Sequence, residues 1–273
     1  MLVLLISAAV AIYTIINLDF ITGLNLRDII IAYNVLAGVQ FGFILMIVPA
    51  ITAGQINGER DRQTLDLLMV TKMSTLSIVL GKLASSLVLV LLMIIASIPV
   101  FSVFVYFGTV SAGNLLALAL FMMVTACMVG AVSIFCSILF RRVVVAYVAS
   151  YLFVLVLIVG TLLAVFVMFR VQLGAFNMQA GGVSMIPFML PLAWREFFAA
   201  LMSLNPMVGF VSLMEYQSGF EFMRIVNRVL FSFHDVRLVL PLSFWMINTG
   251  FSVVLLAVLV GLSTHILGRA RKV

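Results

Sequence analysis

Long apolar stretches make up most of the chain, and short polar segments separate them. A transmembrane helix needs about 20 apolar residues, and the stretches that reach this length are 29–53, 76–107, 114–140, 143–169 and 244–267. A further apolar run at 2–17 is somewhat shorter, and it lacks the basic segment and the cleavage site of a signal peptide. We interpret it as a first span, so the pattern predicts about six transmembrane helices.

The composition supports this interpretation. Hydrophobic residues make up 65% of the chain and charged residues only 9%, whereas soluble domains carry about 25% charged residues. The fold class is therefore an all-α polytopic membrane protein, predicted as a single transmembrane domain over 1–273. The net charge of +6 is dispersed along the chain, which excludes the clustered basic face that nucleic-acid binding needs.

The basic residues predict how the chain is oriented in the membrane. Short cytoplasmic loops are enriched in lysine and arginine, and with six spans nine of the fifteen basic residues fall on one side. Both termini and the loop at 54–75 are then cytoplasmic, and the lipid bilayer is that of the plasma membrane. Three of these cations stand at the ends of spans and are predicted to anchor them at the membrane interface: Lys82, Arg141 and Arg142.

One segment, from Asn57 to Lys82, is dense in polar and charged residues. Leu65, Leu68 and Met69 recur within it at helical spacing. The charged residues of the rest of its surface are Glu59, Arg60, Asp61, Arg62 and Asp66. This pattern predicts a short amphipathic helix between the second and third spans.

The same segment resembles the cytoplasmic loop of ABC transporter permeases of the type-2 exporter class. The resemblance rests on Gly58-Glu59-Arg60, on the run from Gln63 to Leu68, on Thr71, and on the run from Ile78 to Leu83. In that family the loop carries a coupling helix that docks on a separate ATPase subunit. By this resemblance, the residues that couple to the ATPase are Glu59, Arg60, Gln63, Thr64, Leu65, Leu67, Leu68, Met69 and Thr71.

The resemblance also implies the function and the partners. The chain would form the pathway of an exporter as a homodimer or as a heterodimer with a second permease, and the partner ATPase would bind ATP and Mg. An alternative is a membrane scaffold that transports nothing and recruits a soluble partner through its polar loop. A neighbouring gene for an ATP-binding cassette protein would favour the transporter.

The outer segment at 170–243 has no simple spanning pattern. Met185 to Leu204 is apolar but contains two prolines and the Arg195-Glu196 pair, and a charge at mid-bilayer costs about 3 kcal/mol. We therefore predict a re-entrant pair of helices broken at Asn205-Pro206, although the distribution of basic residues does not exclude a seventh span. A second amphipathic helix, from Phe222 to Phe233, would lie on the interface as a lid or as a packing helix.

The sequence offers no catalytic, cofactor-binding or metal-binding residues. His234 and His265 lack neighbours at metal-ligand spacing. Gly81-Lys82 superficially resembles a phosphate-binding loop, but Leu76 stands where that motif needs its first glycine and Leu83 where it needs serine or threonine. We therefore expect a transport subunit that is not an enzyme and has no cofactor of its own.

Overall fold

The computed structural model of the protein describes residues 26–63, 74–163, 166, 200–218 and 244–270. Every element in these ranges is helical, and five helices are long and apolar enough to cross a membrane. This result confirms the prediction of an all-α polytopic membrane protein. The first predicted span, loop residues 64–73, the predicted helix from Phe222 to Phe233 and most of 170–243 lie outside the described residues.

The helices are α1 to α7 in chain order. Their bounds are α1 Leu26–Thr52, α2 Gln55–Asp61, α3 Thr75–Tyr106, α4 Ala112–Leu139, α5 Val143–Leu155, α6 Pro206–Ser218 and α7 Phe244–Ala270. A π-helical stretch, Val156–Gly160, continues α5 without a break in the chain direction. By length and composition, the five candidate spans are Ile29–Asp61, Thr75–Tyr106, Ala112–Leu139, Val143–Leu163 and Phe244–Arg269, the first of which combines α1 and α2.

The ends of α3 and α4 show why these helices begin and stop where they do. Ser74 is the N-cap of α3, and its side chain accepts a hydrogen bond from the Ser77 backbone N–H at 3.2 Å. Ser111 caps α4 in the same way. Between the two helices Gly108 has a φ of +70°, a conformation that glycine adopts without steric cost. A short turn over 107–111 therefore joins the two helices.

Chain contacts divide the protein into two units, Met1–Val154 with Ser252–Val273, and Leu155–Phe251. In the first unit α1, α2 and α3 all pack against α4. Gly130 of α4 allows this close approach, because a β-carbon there would lie 2.8 Å from Leu83 Cδ1 of α3. Gln40 Nε2 of α1 donates a hydrogen bond to Ser97 Oγ of α3 at 2.9 Å. Such polar contacts hold helices together where apolar burial cannot.

The second unit contains two interruptions of helical backbone. The first is the π-helical stretch, which the uninterrupted apolar run at 143–169 does not reveal. The second is Asn205, which separates the helical turn at 200–203 from α6, so the break predicted at Asn205-Pro206 is present. These two interruptions lie together, because α6 packs against the π-helical stretch.

Two asparagines bind the backbone groups that these interruptions release. Asn205 Nδ2 donates to the Ile158 carbonyl at 3.2 Å and to Thr161 Oγ1, while its Oδ1 accepts from the Met207 N–H at 2.8 Å. Asn248 Nδ2 of α7 donates to the carbonyl of Ser203 at 2.6 Å and to that of Asn205 at 3.0 Å. Both asparagines are completely buried. Non-helical backbone inside a membrane protein is tolerated when protein groups bind it in this way.

Candidate coupling site

The predicted coupling segment begins with α2, a helix of seven residues that follows α1 after the turn at Ala53 and Gly54. At its other end, Arg62 is the C-cap and Gln63 has a φ of +59°. The Gln63 N–H donates to the Arg60 carbonyl at 3.1 Å, a bond typical of helices that stop at a left-handed residue. The chain therefore turns sharply away from α2 as it enters the loop.

An ion pair connects α2 to α3. Lys82 Nζ lies against Glu59 Oε1, and the two side chains are 25% and 23% exposed. Lys82 belongs to a segment of α3 that is itself firmly packed, since the neighbouring Val79 and Leu83 are buried. The sequence suggested that Lys82 extends to the lipid headgroups, but its ammonium group instead binds a carboxylate of the same chain.

A hydrogen bond connects α2 to α4. The backbone N–H of Asn57 donates to Ser137 Oγ at 3.2 Å, and both residues are completely buried. Asn57 Oδ1 also accepts a hydrogen bond from Arg60 Nη1 at 3.3 Å. The side chain of Arg60 thus folds back onto the first turn of its own helix.

Two tyrosines of α5 lie close to the segment that contains α1 and α2, Tyr147 near the start of α2 and Tyr151 against α1. A β-carbon at Gly54 would lie 2.5 Å from the hydroxyl oxygen of Tyr147. Gly54 has a φ of −89°, which any residue adopts, so it is the space and not the backbone angle that requires glycine. One turn further along α5, the Tyr151 hydroxyl donates to the Met46 carbonyl of α1 at 2.8 Å.

The described residues of the predicted coupling set therefore differ in their surroundings. Glu59 and Arg60 are half-buried and bind partners within the chain, whereas Gln63 is exposed. Arg141 and Arg142 are exposed in the turn between α4 and α5, where the sequence places them. The other members of the set lie outside the described residues: Thr64, Leu65, Leu67, Leu68, Met69 and Thr71.

The sequence did not single out the residues that fix α2 in place. Asn57, Ser137, Tyr147 and Gly54 each act through a partner distant in sequence, and none belongs to a recognisable motif. The one local signal is Asn57, an amide that stands next to an apolar run and must find partners if it is buried. Ser137 and Tyr147 look like ordinary residues of apolar spans.

The described part of the site contains structural contacts and no cluster of metal-binding side chains. Within the described ranges no group of His, Cys, Asp or Glu side chains could hold a metal ion. Gly81 and Lys82 lie inside α3, so their backbone is helical and forms no loop around a phosphate. What the site does provide is a short polar helix that is bound to α3 by an ion pair and to α4 by a hydrogen bond, with Tyr147 of α5 close to the residue before it.

Comparison with known proteins identifies the family. No curated protein and no solved structure matches the chain. A family model described as "ABC-2 family transporter protein" matches residues 3–270. Because this match covers nearly the whole chain, the protein belongs to the ABC-2 transporter family, as a membrane permease subunit of an ABC transporter.

Proposed function

We propose that this permease is driven by a separate ATPase subunit that docks on α2 and on the loop at 62–74. The supporting observation is that α2 is joined to two spans at once, to α3 by Glu59–Lys82 and to α4 by Asn57–Ser137. Tyr147 of α5 also lies close to Gly54, just before α2. A partner that moves α2 would therefore displace these spans with it.

This geometry suits transmission of a rigid-body movement. Domains of transporters and other allosteric proteins move as packed units, because packed helices resist continuous deformation. A loop tethered at one point would bend when a partner pulled it, and the spans would stay where they are. A helix held at two points, on two different spans, passes the displacement on to the bundle.

The proposed transport direction and assembly follow from the sequence resemblance to type-2 exporters. The pathway would form between two permease chains, identical or related, and ATP with Mg would bind in the ATPase. The helical conformation of Gly81 and Lys82 supports this division of labour, because a phosphate-binding loop needs backbone N–H groups free to bind phosphate.

The test is co-purification of the ATPase with a Leu68→Asp variant of the tagged permease. Leu68, with Leu65 and Met69, forms the apolar face that the sequence predicts for the loop. A charge forced into a dry interface costs several kcal/mol, so the amount of ABC ATPase recovered, identified by mass spectrometry through its phosphate-binding-loop peptide, should fall at least about tenfold.

A Gly113→Asp variant is the matched control. It introduces the same charge at an exposed position in the first turn of α4, where a β-carbon meets nothing closer than 3.7 Å. ATPase recovery with this variant should equal that of the unmodified protein. If Leu68→Asp also recovers the ATPase normally, the loop is not the docking site. If the unmodified permease recovers a soluble protein that is not an ATPase, the scaffold function replaces the proposal.

A further inference from the structure

The ion pair between Glu59 and Lys82 stands out among the interactions that hold α2. It joins residues that are 23 positions apart, and each partner lies on a different helix. Only about a quarter of each side chain is exposed, so the two charges are partly withdrawn from water. A partly buried charge that loses its partner is unfavourable, and this makes the pair sensitive to any change in either residue.

The backbone on both sides of the ion pair is held by further contacts. On the α3 side, the Lys82 carbonyl accepts hydrogen bonds from the hydroxyls of Ser85 and Ser86, and Leu83 packs where Gly130 leaves room on α4. On the α2 side, Asn57 is fixed to Ser137. The ion pair is therefore a short connection between two positions that are each held in place.

We propose that Glu59 and Lys82 are a positioning pair that transmits movement of α2 to α3, and that Glu59 does not contact the ATPase. This inference rests on the proposed function, and it reassigns both residues. The sequence resemblance assigned Glu59 to the docking surface, and the position of Lys82 at the end of a span assigned it to the lipid interface. In the structure the two side chains bind each other.

The first experiment needs no ATPase. Spin labels are placed at Arg62→Cys and Ser102→Cys, both exposed, in the full-length permease with Cys127 and Cys136 replaced by alanine and reconstituted in lipid nanodiscs. From Lys82 to Ser102 is about 30 Å along the helix, a separation that pulsed electron paramagnetic resonance measures well. The width of the distance distribution then reports how firmly α2 is held relative to α3.

The variants distinguish the effect of losing the ion pair from the effect of changing either charge alone. Glu59→Gln and Lys82→Met should each broaden the distribution about twofold, and the charge swap Glu59→Lys with Lys82→Glu should narrow it again, since neighbouring residues show non-additive effects. Asp61→Asn is the matched control, because it removes an exposed carboxylate from the same helix and should change nothing. The inference would be overturned if the single variants left the width of the distance distribution unchanged, or if the charge swap did not narrow it again.

The second experiment uses the complex with the ATPase. Recovery of the ATPase with Glu59→Gln should stay within about twofold of the unmodified protein, while the change in label distance on trapping with ATP and vanadate is lost and returns in the swap. A large loss of ATPase recovery that the swap does not restore would make Glu59 a docking residue and overturn the inference. If the proposed function itself is wrong, no ATPase will co-purify with the unmodified permease.

Discussion

Polar groups interrupt this apolar protein at two places, at the contacts that hold α2 and at the helix break at Asn205. The two places use different kinds of polar interaction. At α2 the principal side-chain link is an ion pair whose partners are each about one quarter exposed. At Asn205 the links are neutral amides, and both Asn205 and Asn248 are completely buried. The charged link is partly exposed at the protein surface, and the neutral links are fully enclosed by protein.

The difference follows from the cost of removing a group from water. An ionised group buried in an apolar environment is far more costly than an amide, and an amide carries both a donor and an acceptor. Asn205 uses both at once, because its Oδ1 caps α6 while its Nδ2 reaches the π-helical stretch. Each region therefore predicts its own response to mutation.

The largest effect is expected from Asn205→Ala. This change removes the cap of α6 and the bonds from Asn205 Nδ2 to the Ile158 carbonyl and to Thr161 Oγ1, a combined cost of about 3 kcal/mol. The melting temperature in mild detergent, followed by tryptophan fluorescence, should fall by roughly 5–10 °C. Thr264→Ala is the control, since that hydroxyl binds only a carbonyl of its own helix, and it should have little effect.

Asn205→Ser separates the two functions of this side chain. Serine caps helices about as well as asparagine, but it is too short to reach the π-helical stretch. The melting temperature of the Asn205→Ser variant should lie between those of the unmodified protein and Asn205→Ala. If the serine variant melts like the unmodified protein, the bridge to Ile158 and Thr161 contributes nothing to stability.

A smaller loss is expected from Gly209→Ala. A β-carbon at this position would collide with the carboxamide of Asn248, so Asn248 must shift and weaken its bonds to Ser203 and Asn205, at a cost of about 1–3 kcal/mol. Gly250→Ala in α7 meets nothing within 4 Å and should be neutral or slightly stabilising. Equal melting temperatures for the two variants would contradict the proposed role of Gly209.

A comparable test applies to the close approach of Tyr147 to Gly54, just before α2. Gly54→Ala would bring a β-carbon to 2.5 Å from the Tyr147 hydroxyl oxygen, whereas the nearest ring carbon lies at 3.2 Å. The variant should lose about 1–2 kcal/mol, as overpacked sites do, and Tyr147→Phe should restore most of it in the double variant. Gly58→Ala, with open space around it, should gain up to about 1 kcal/mol. A double variant no more stable than Gly54→Ala would show that the hydroxyl is not the obstacle.

The smallest effect is expected at Gln63, where glycine should be better than the natural residue. A left-handed conformation costs a residue with a β-carbon about 1–2 kcal/mol, and Gln63 adopts it with a φ of +59°. Gln63→Gly should raise the melting temperature slightly, by roughly 2–4 °C. A lower melting temperature would mean that the glutamine side chain makes a compensating contact.

The features predictable from the sequence are those that depend on neighbours along the chain. The length of an apolar run indicates a span, and a serine just before such a run, like Ser74, indicates an N-cap. Asn205-Pro206 indicates a helix break, because an N-cap residue followed by proline is a local signal. The π-helical stretch leaves no such signal, since its residues are as apolar as those around it.

The candidate site was less predictable for the same reason. The polar segment identifies itself by composition, but which of its side chains face inward depends on helices that are far away in sequence. Lys82 at the end of a span is compatible with an anchor at the lipid interface or with an ion pair, and only the position of Glu59 decides between them. The close approach of Tyr147 to Gly54 likewise requires the packing of α5 against α2.

The most direct test of the coupling proposal is site-specific photo-crosslinking in cells. A benzophenone amino acid at Met69 should capture an ABC ATPase subunit, and the same amino acid at Gly113 should capture none, because the two positions lie beyond opposite ends of α3. If Met69 captures no ATPase, or if Gly113 captures it equally well, the loop after α2 is not where this ABC-2 permease receives its energy.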